Sequence, residues 1–167
     1  MTEEVRTALA ILEQAMSIEQ EGHQFYRKAA QTTRDEKGKE IFNTLADDEL
    51  KHYDLIYRQR IALTREGNWI DSPEIKPVDI NLDKSPFPLG KEALEKAATT
   101  KSSDWDALLF GLDIEVKSYE LYRRAASEIN DALGKQMFEF LAGQEQSHWD
   151  ILMMRYDALF GPISWRY

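Results

Sequence analysis

Apolar residues recur three and four positions apart along four long stretches of the chain, the period of a helix with one packed face. The first stretch runs from about Glu3 to Thr33, after Thr2, a residue type suited to capping. The second runs from about Glu36 to Arg65, with Asp35 as a candidate N-cap and Gly67 just beyond its end. The third begins near Asp104, where Ser103 and Asp106 form a capping-box pattern, and ends near Asn130. The fourth covers about Ala132 to Phe160 and is stopped by Gly161 and Pro162. At ~1.5 Å of rise per residue, each helix is about 40 Å long.

Between the second and third stretches the texture changes. Pro73, Pro77, Pro86 and Pro88 forbid a continuous helix, so this part is extended or turned, with a short extra helix expected over Lys91 to Thr99. A connection this long needs a reason, and the simplest is geometric: the chain must travel the length of the bundle before its second half begins.

The second half repeats the first. A shift of 96 positions carries Ile18-Glu19 onto Ile114-Glu115, Tyr26-Arg27 onto Tyr122-Arg123 and Ala29-Ala30 onto Ala125-Ala126. It also carries Gly38-Lys39 onto Gly134-Lys135, Phe42 onto Phe138, and Glu49, His52 and Asp54 onto Glu145, His148 and Asp150. Amphipathic helices share Leu and Ala by default, but not Glu, Tyr, Gly and His in one register. The expected fold is therefore all-α: one domain over 1–167, with a hairpin over about 3–65, a crossover over about 66–102 and a second hairpin over about 103–161.

Charge and composition narrow the chemistry. The formal net charge is -9, opposite in sign to the basic footprint of a nucleic-acid binder. No apolar run reaches the ~18 residues of a membrane span, and the acidic start, Met1-Thr2-Glu3-Glu4, does not read as a signal peptide. A cytoplasmic location is the expectation. Cysteine is absent, which removes disulfides, thiol nucleophiles, iron–sulfur clusters and cysteine-ligated zinc.

The repeated glutamates fall on the apolar stripes. Glu19 has Leu12, Ala15, Gly22 and Tyr26 as its three-, four- and seven-residue neighbours; Glu145 has Phe138, Leu141, Ala142, Trp149 and Leu152. Glu49 and Glu115 sit in the same way. Burying even one unpaired carboxylate costs several kcal/mol, so positive charge must accompany four. Two divalent cations balance four carboxylates and two neutral imidazoles. Glu49-Leu50-Lys51-His52 and Glu145-Gln146-Ser147-His148 each place a Glu and a His on one helix face. One lone Glu and one Glu-x-x-His per hairpin is the ligand pattern of di-iron and di-manganese carboxylate bundles. Mixed oxygen and nitrogen donors suit iron or manganese better than calcium or magnesium.

Glu19-Gln20-Glu21-Gly22-His23-Gln24-Phe25-Tyr26 with Ala29-Ala30, then Phe42 through His52, and their partners in the second half resemble the rubrerythrin-type branch of the ferritin-like di-iron family. The resemblance covers the four long helices and implies a ferritin-like four-helix bundle. It implies that Glu19, Glu49, His52, Glu115, Glu145 and His148 hold two iron ions, with manganese or zinc as alternatives, and that Glu49 and Glu145 bridge them. It further implies that Tyr26 and Tyr122 hydrogen-bond ligand carboxylates, polarising them or relaying protons. Such proteins often carry a cysteine-ligated electron-transfer module, which a chain without cysteine lacks, so reducing equivalents are expected from an external electron donor. They also tend to have an extra glutamate one turn after the third-helix ligand, where this chain has Ser118.

The remaining candidates are weaker. His23, four residues after Glu19, is matched by Tyr119 and reads as a packing or hydrogen-bonding residue rather than a ligand. Asp48 is expected either to accept from His148, fixing its tautomer, or to face solvent. Tyr53, Trp105 and Trp149 read as core residues, and Asp104 and Asp106 as first-turn acids favoured by the helix dipole. The leading expectation is a non-haem di-iron oxidoreductase acting on hydrogen peroxide or dioxygen. Ferrous iron oxidation for storage or detoxification is the first alternative, and a structural or regulatory bundle holding zinc or no metal the second. A homodimer is expected, without nucleic-acid or membrane partners.

Overall fold

The computed structural model describes residues 1–83, 85–87 and 103–162. Among them are four helices, α1 Glu3–Thr32, α2 Glu36–Glu66, α3 Ser103–Glu128 and α4 Ala132–Phe160, and no strand. Their ends follow the local chemistry. Thr2 Oγ1 accepts from the Val5 amide at 3.2 Å, and Asp35 accepts from the Gly38 amide at 2.8 Å. Asp131 caps α4 by accepting from the amides of Leu133 and Gly134. Gly67 closes α2 in the left-handed region, φ 72°, where a side chain would be strained. Ser103 is already inside α3 rather than capping it, and the expected helix over Lys91–Thr99 lies outside the described residues.

α1 packs on α2 and α3 on α4 as two hairpins, which meet along α1–α3 and more sparsely along α2–α4. Side-chain contacts set the directions. Thr33 donates to Asp104 at 2.6 Å, Tyr26 donates to Glu115, and Tyr122 donates to Glu19, so numbering rises along α1 as it falls along α3. In the same way Arg155 meets Asp35 at 2.5 Å while His52 approaches Glu145 at 3.1 Å, so α2 and α4 run antiparallel. It follows that α2 and α3 run parallel, and the segment joining them must cross the length of the bundle.

That segment is held by backbone and ring contacts. The Gln59 amide donates to Ile70 O at 2.7 Å and its carbonyl accepts from Ile70 N at 3.1 Å, as a neighbouring strand would. Trp69 lies flat on Gly134, where a Cβ would come within 2.5 Å of the ring. Further on, Tyr119 donates to Asn81 O at 3.4 Å, Arg123 donates to Leu82 O at 3.2 Å, and Phe87 packs at 5.1 Å on both Tyr119 and Trp149. The crossover thus follows the outside of the second hairpin.

The interior is layered. One apolar cluster, with Leu12, Ile56, Leu63, Trp69, Tyr122 and Phe138, fills one end of the bundle. The other, with Tyr26, Phe42, Trp105, Leu112, Leu152 and Tyr156, fills the opposite end. Trp105 and Trp149 are buried, whereas Tyr53 is only half-buried and stacks on exposed Tyr57, so it belongs to the margin and not the core. Among the described residues, no helix is long and apolar enough to cross a membrane.

Candidate metal centre

Between the two apolar clusters lies a layer of charge. Glu19, Glu49, Glu115 and Glu145 are each 0% exposed, and His52 and His148 are 4% and 3% exposed. Glu19 comes from α1 and Glu115 from α3; α2 supplies Glu49 and His52, and α4 supplies Glu145 and His148. The three-residue spacing places each Glu-x-x-His pair on one inward face.

These six form two overlapping groups. Glu19, Glu49, His52 and Glu145 offer donor atoms within 4.8 Å of one another, and Glu49, Glu115, Glu145 and His148 do the same. Glu49 and Glu145 belong to both groups. Each His presents Nδ1 to the cluster. His52 Nδ1 is 3.1 Å from Glu145 and 3.5 Å from Glu19, and His148 Nδ1 is 3.0 Å from Glu49 and 3.5 Å from Glu115.

None of these contacts is aligned as a hydrogen bond. Among the described residues, both oxygens of Glu49 and of Glu145, Oε2 of Glu19 and Glu115, and Nδ1 of both imidazoles are buried without a hydrogen-bond partner. Leaving one such atom unsatisfied costs about 1–3 kcal/mol, and more when charged. Lone pairs that approach closely yet point past one another converge on the spaces between them, so the donor set fits two cations. Among the described residues, no Lys or Arg pairs with any of the four glutamates.

Protonation behaviour points the same way. Burial, and then the charges of Glu145 and Glu19, raise the Glu49 carboxyl well above its ordinary range. Burial and Glu145 raise Glu115 to about 8, against the pull of His148. Burial also opposes the charge of Glu145, but His148 and His52 overcome it and hold that carboxyl low. His52 is held protonated up to about 10: burial disfavours its charge, and Glu19 and Glu145 outweigh burial. Glu49 and Glu115 thus resist ionisation as long as no cation balances the layer.

The tyrosines link the halves. Tyr26 donates to Glu115 Oε1, and Tyr122 donates to Glu19 Oε1, each reaching the lone glutamate of the opposite hairpin. Both hydroxyls are held protonated, by burial first and by these glutamates second. Gly111 makes room for Tyr26: a Cβ there would lie 3.2 Å from the ring, and the Gly111 carbonyl also accepts from Tyr26 at 3.3 Å.

His23 takes no part in either group. Its Nδ1 is 2.7 Å from Ala46 O, tying α1 to α2. Asp48 faces both ways, with Lys51 at 2.8 Å and His148 Nε2 at 3.5 Å, close enough for charge attraction though not aligned as a hydrogen bond. His148 above all, then Lys51, lowers its carboxyl to about 2 against the effect of burial.

Gly22, near the centre, has a reason that α1 by itself does not show. A Cβ at Gly22 would lie 3.3 Å from Glu49 Oε2, so only glycine lets α1 approach this shared carboxylate without pushing on it. The available signal was a mid-helix glycine, which costs about 1 kcal/mol relative to alanine and so needs a reason. Ser118, which occupies the matching place in α3, is fully buried, and among the described residues its hydroxyl has no hydrogen-bond partner.

A cavity of about 640 Å³ opens between α2 and α4, lined by His52, Gln144, Asp48, Tyr57, Phe140 and Glu74 among others. Of the six clustered residues, His52 borders it.

Residues 10–77 match the family model described as Rubrerythrin. The match takes in most of α1, all of α2 and the start of the crossover, with Glu19, Glu49 and His52 inside it. It is consistent with a rubrerythrin-type ferritin-like family and, with the buried Glu/His cluster, suggests a di-iron carboxylate protein. Neither curated proteins nor solved structures gave a match.

Proposed function

We propose that the chain is a non-haem di-iron oxidoreductase that reduces hydrogen peroxide, or dioxygen, with electrons from an external donor. The observation that carries this reading is the sharing of Glu49 and Glu145 between two four-residue donor groups. Such sharing suits a pair of adjacent ions, as a two-electron reaction needs. A pair of ferrous ions bound there would supply the two electrons that, with two protons, convert one peroxide to two waters.

The chain's own residues do the rest. Glu19, Glu49, Glu145 and His52 would hold one ion, and Glu49, Glu115, Glu145 and His148 would hold the other. Tyr122 and Tyr26 orient Glu19 and Glu115 by hydrogen bonds and keep protons one bond away from the ligands. The apolar clusters on either side exclude bulk water, which strengthens every charge interaction in the layer. The cavity beside His52 admits a small oxidant. The donor is a separate molecule, and two copies of the chain pair.

Ferrous iron oxidation for storage or detoxification is the second reading. It is favoured by Ser118, fully buried where the resemblance calls for an additional glutamate that takes part in peroxide turnover.

The test begins with metal-free protein loaded anaerobically with ferrous iron and mixed with hydrogen peroxide. Consumption of one peroxide per two ferrous ions, abolished by Glu49→Ala, is the expected result. Peroxide left unchanged by the loaded protein would end the peroxidase reading. A native mass corresponding to a hollow shell of many subunits, rather than a dimer, would favour iron storage.

A further inference from the structure

We propose that the two metal positions are unequal: the one built on His148 is tight and fills first, and the one built on His52 is weaker and exchangeable. This rests on the two-ion reading of the site but does not follow from it, because the two donor groups contain the same residue types.

The difference lies behind the imidazoles. When Nδ1 of a ligand histidine binds a cation, Nε2 carries the proton, and a carboxylate that accepts it fixes the ring and makes it a better donor. Asp48 stands 3.5 Å from His148 Nε2 and is itself steadied by Lys51 at 2.8 Å. His148 therefore has a negative partner supplied by the facing helix.

Among the described residues, His52 has no such partner. The residue matching Asp48 in the second hairpin is Gln144, which is neutral. Among the described residues, no carboxylate lies within ion-pair distance of His52 Nε2; its carboxylate neighbours, Glu19 and Glu145, approach Nδ1. Instead, His52 lines the cavity between α2 and α4 together with Gln144. His148 does not line that cavity, whereas Asp48, which stands behind it, does. One histidine is thus backed by charge, and the other borders the cavity with a neutral amide at the matching place in the opposite hairpin.

Second-layer carboxylates of this kind change metal affinity by roughly 10–100-fold. The experiment is an anaerobic titration of metal-free full-length protein with cobalt(II), following its visible absorption and counting bound ions by equilibrium dialysis. Two binding steps at least about tenfold apart are expected. His52→Ala should keep the tight step and His148→Ala the weak one. Asp48→Asn should weaken the tight step about 10–100-fold and leave the weak step within about twofold. Gln144→Asp, which adds an acid on the His52 side, should narrow the gap, and it carries the test if Asp48→Asn does not fold. Two ions bound with equal affinity, or an Asp48→Asn effect confined to the weak step, would overturn the inequality while leaving the two-ion site standing. No cobalt bound at all would overturn both.

Discussion

The apolar ends of the bundle and its charged middle are built from the same four helices, yet they are stabilised in different ways. At the ends, Phe42 and Phe138 are 1% and 0% exposed and pack among Leu, Ala, Trp and Tyr, so every contact is made by the chain itself. In the middle, four carboxylates and two imidazoles are as deeply buried, but among the described residues most of their donor atoms have no hydrogen-bond partner. The ends therefore make a fold, while the middle makes a demand that the fold alone does not meet. The lesson is that burial measures stability only where the buried atoms are satisfied.

Truncating the ends gives the largest expected effect on stability. Phe138→Ala, at a fully buried position, should cost about 3–5 kcal/mol whether or not metal is present, read as a lowered urea midpoint. Removing metal should instead act only through the middle layer. Filling the tighter position alone should raise the stability of the loaded protein over the metal-free one by about 4 kcal/mol when free metal is a thousand times that position's dissociation constant. A Phe138→Ala penalty that disappears on metal loading would show that ends and middle are not independent.

The pH dependence should separate the two states next. In the metal-free protein, Glu115 binds its proton more tightly folded, at about 8, than at its ordinary 4.5. The stability this confers is complete below about pH 4.5 and is lost as pH rises through about 8. His52, raised to about 10 from 6.5, has the same sign and acts over a higher window. Metal binding requires these groups deprotonated, so metal stabilisation grows over the same interval. Thermal melts between pH 5 and 8 should show the gap between loaded and metal-free protein widening as pH rises. A constant gap would mean that protons do not occupy the layer when metal is absent.

The smallest effect tests whether the halves are equivalent. Tyr26→Phe and Tyr122→Phe each remove one hydrogen bond to a glutamate in the layer. Each should cost about 1.5–3 kcal/mol of stability by urea unfolding, since the acceptor is a carboxylate. Equal losses would mark the tyrosines as interchangeable. A loss confined to one would show that the unequal backing of the two histidines extends to the lone glutamates.

Much of this could be read along the chain because helices announce themselves locally. Thr2, Asp35 and Gly67 end their helices where their side chains or backbone freedom allow, and Ala132–Phe160 follows the pattern from end to end. The burial of Glu19, Glu49, Glu115 and Glu145 was legible because each lies on an apolar stripe. Tyr53 shows where that signal weakens: it too lies at stripe spacing, but it is only half-buried and stacks on exposed Tyr57. Gly22 could not be interpreted from α1 alone, because its reason is a carboxylate on α2.

What the sequence determined by itself is the set of helices, their inward faces and the kinds of donor those faces carry, since these depend on residue type and spacing within one element. Only the tertiary structure decided which elements meet across the core. It directed Tyr26 to Glu115 and Tyr122 to Glu19, turned His23 to a backbone carbonyl, and set Asp48 between His148 and Lys51. It also set His52, and not His148, on the cavity between α2 and α4. The physical reason is that a side chain's periodicity fixes the direction in which it leaves its helix, whereas its partner depends on the level at which a second helix passes.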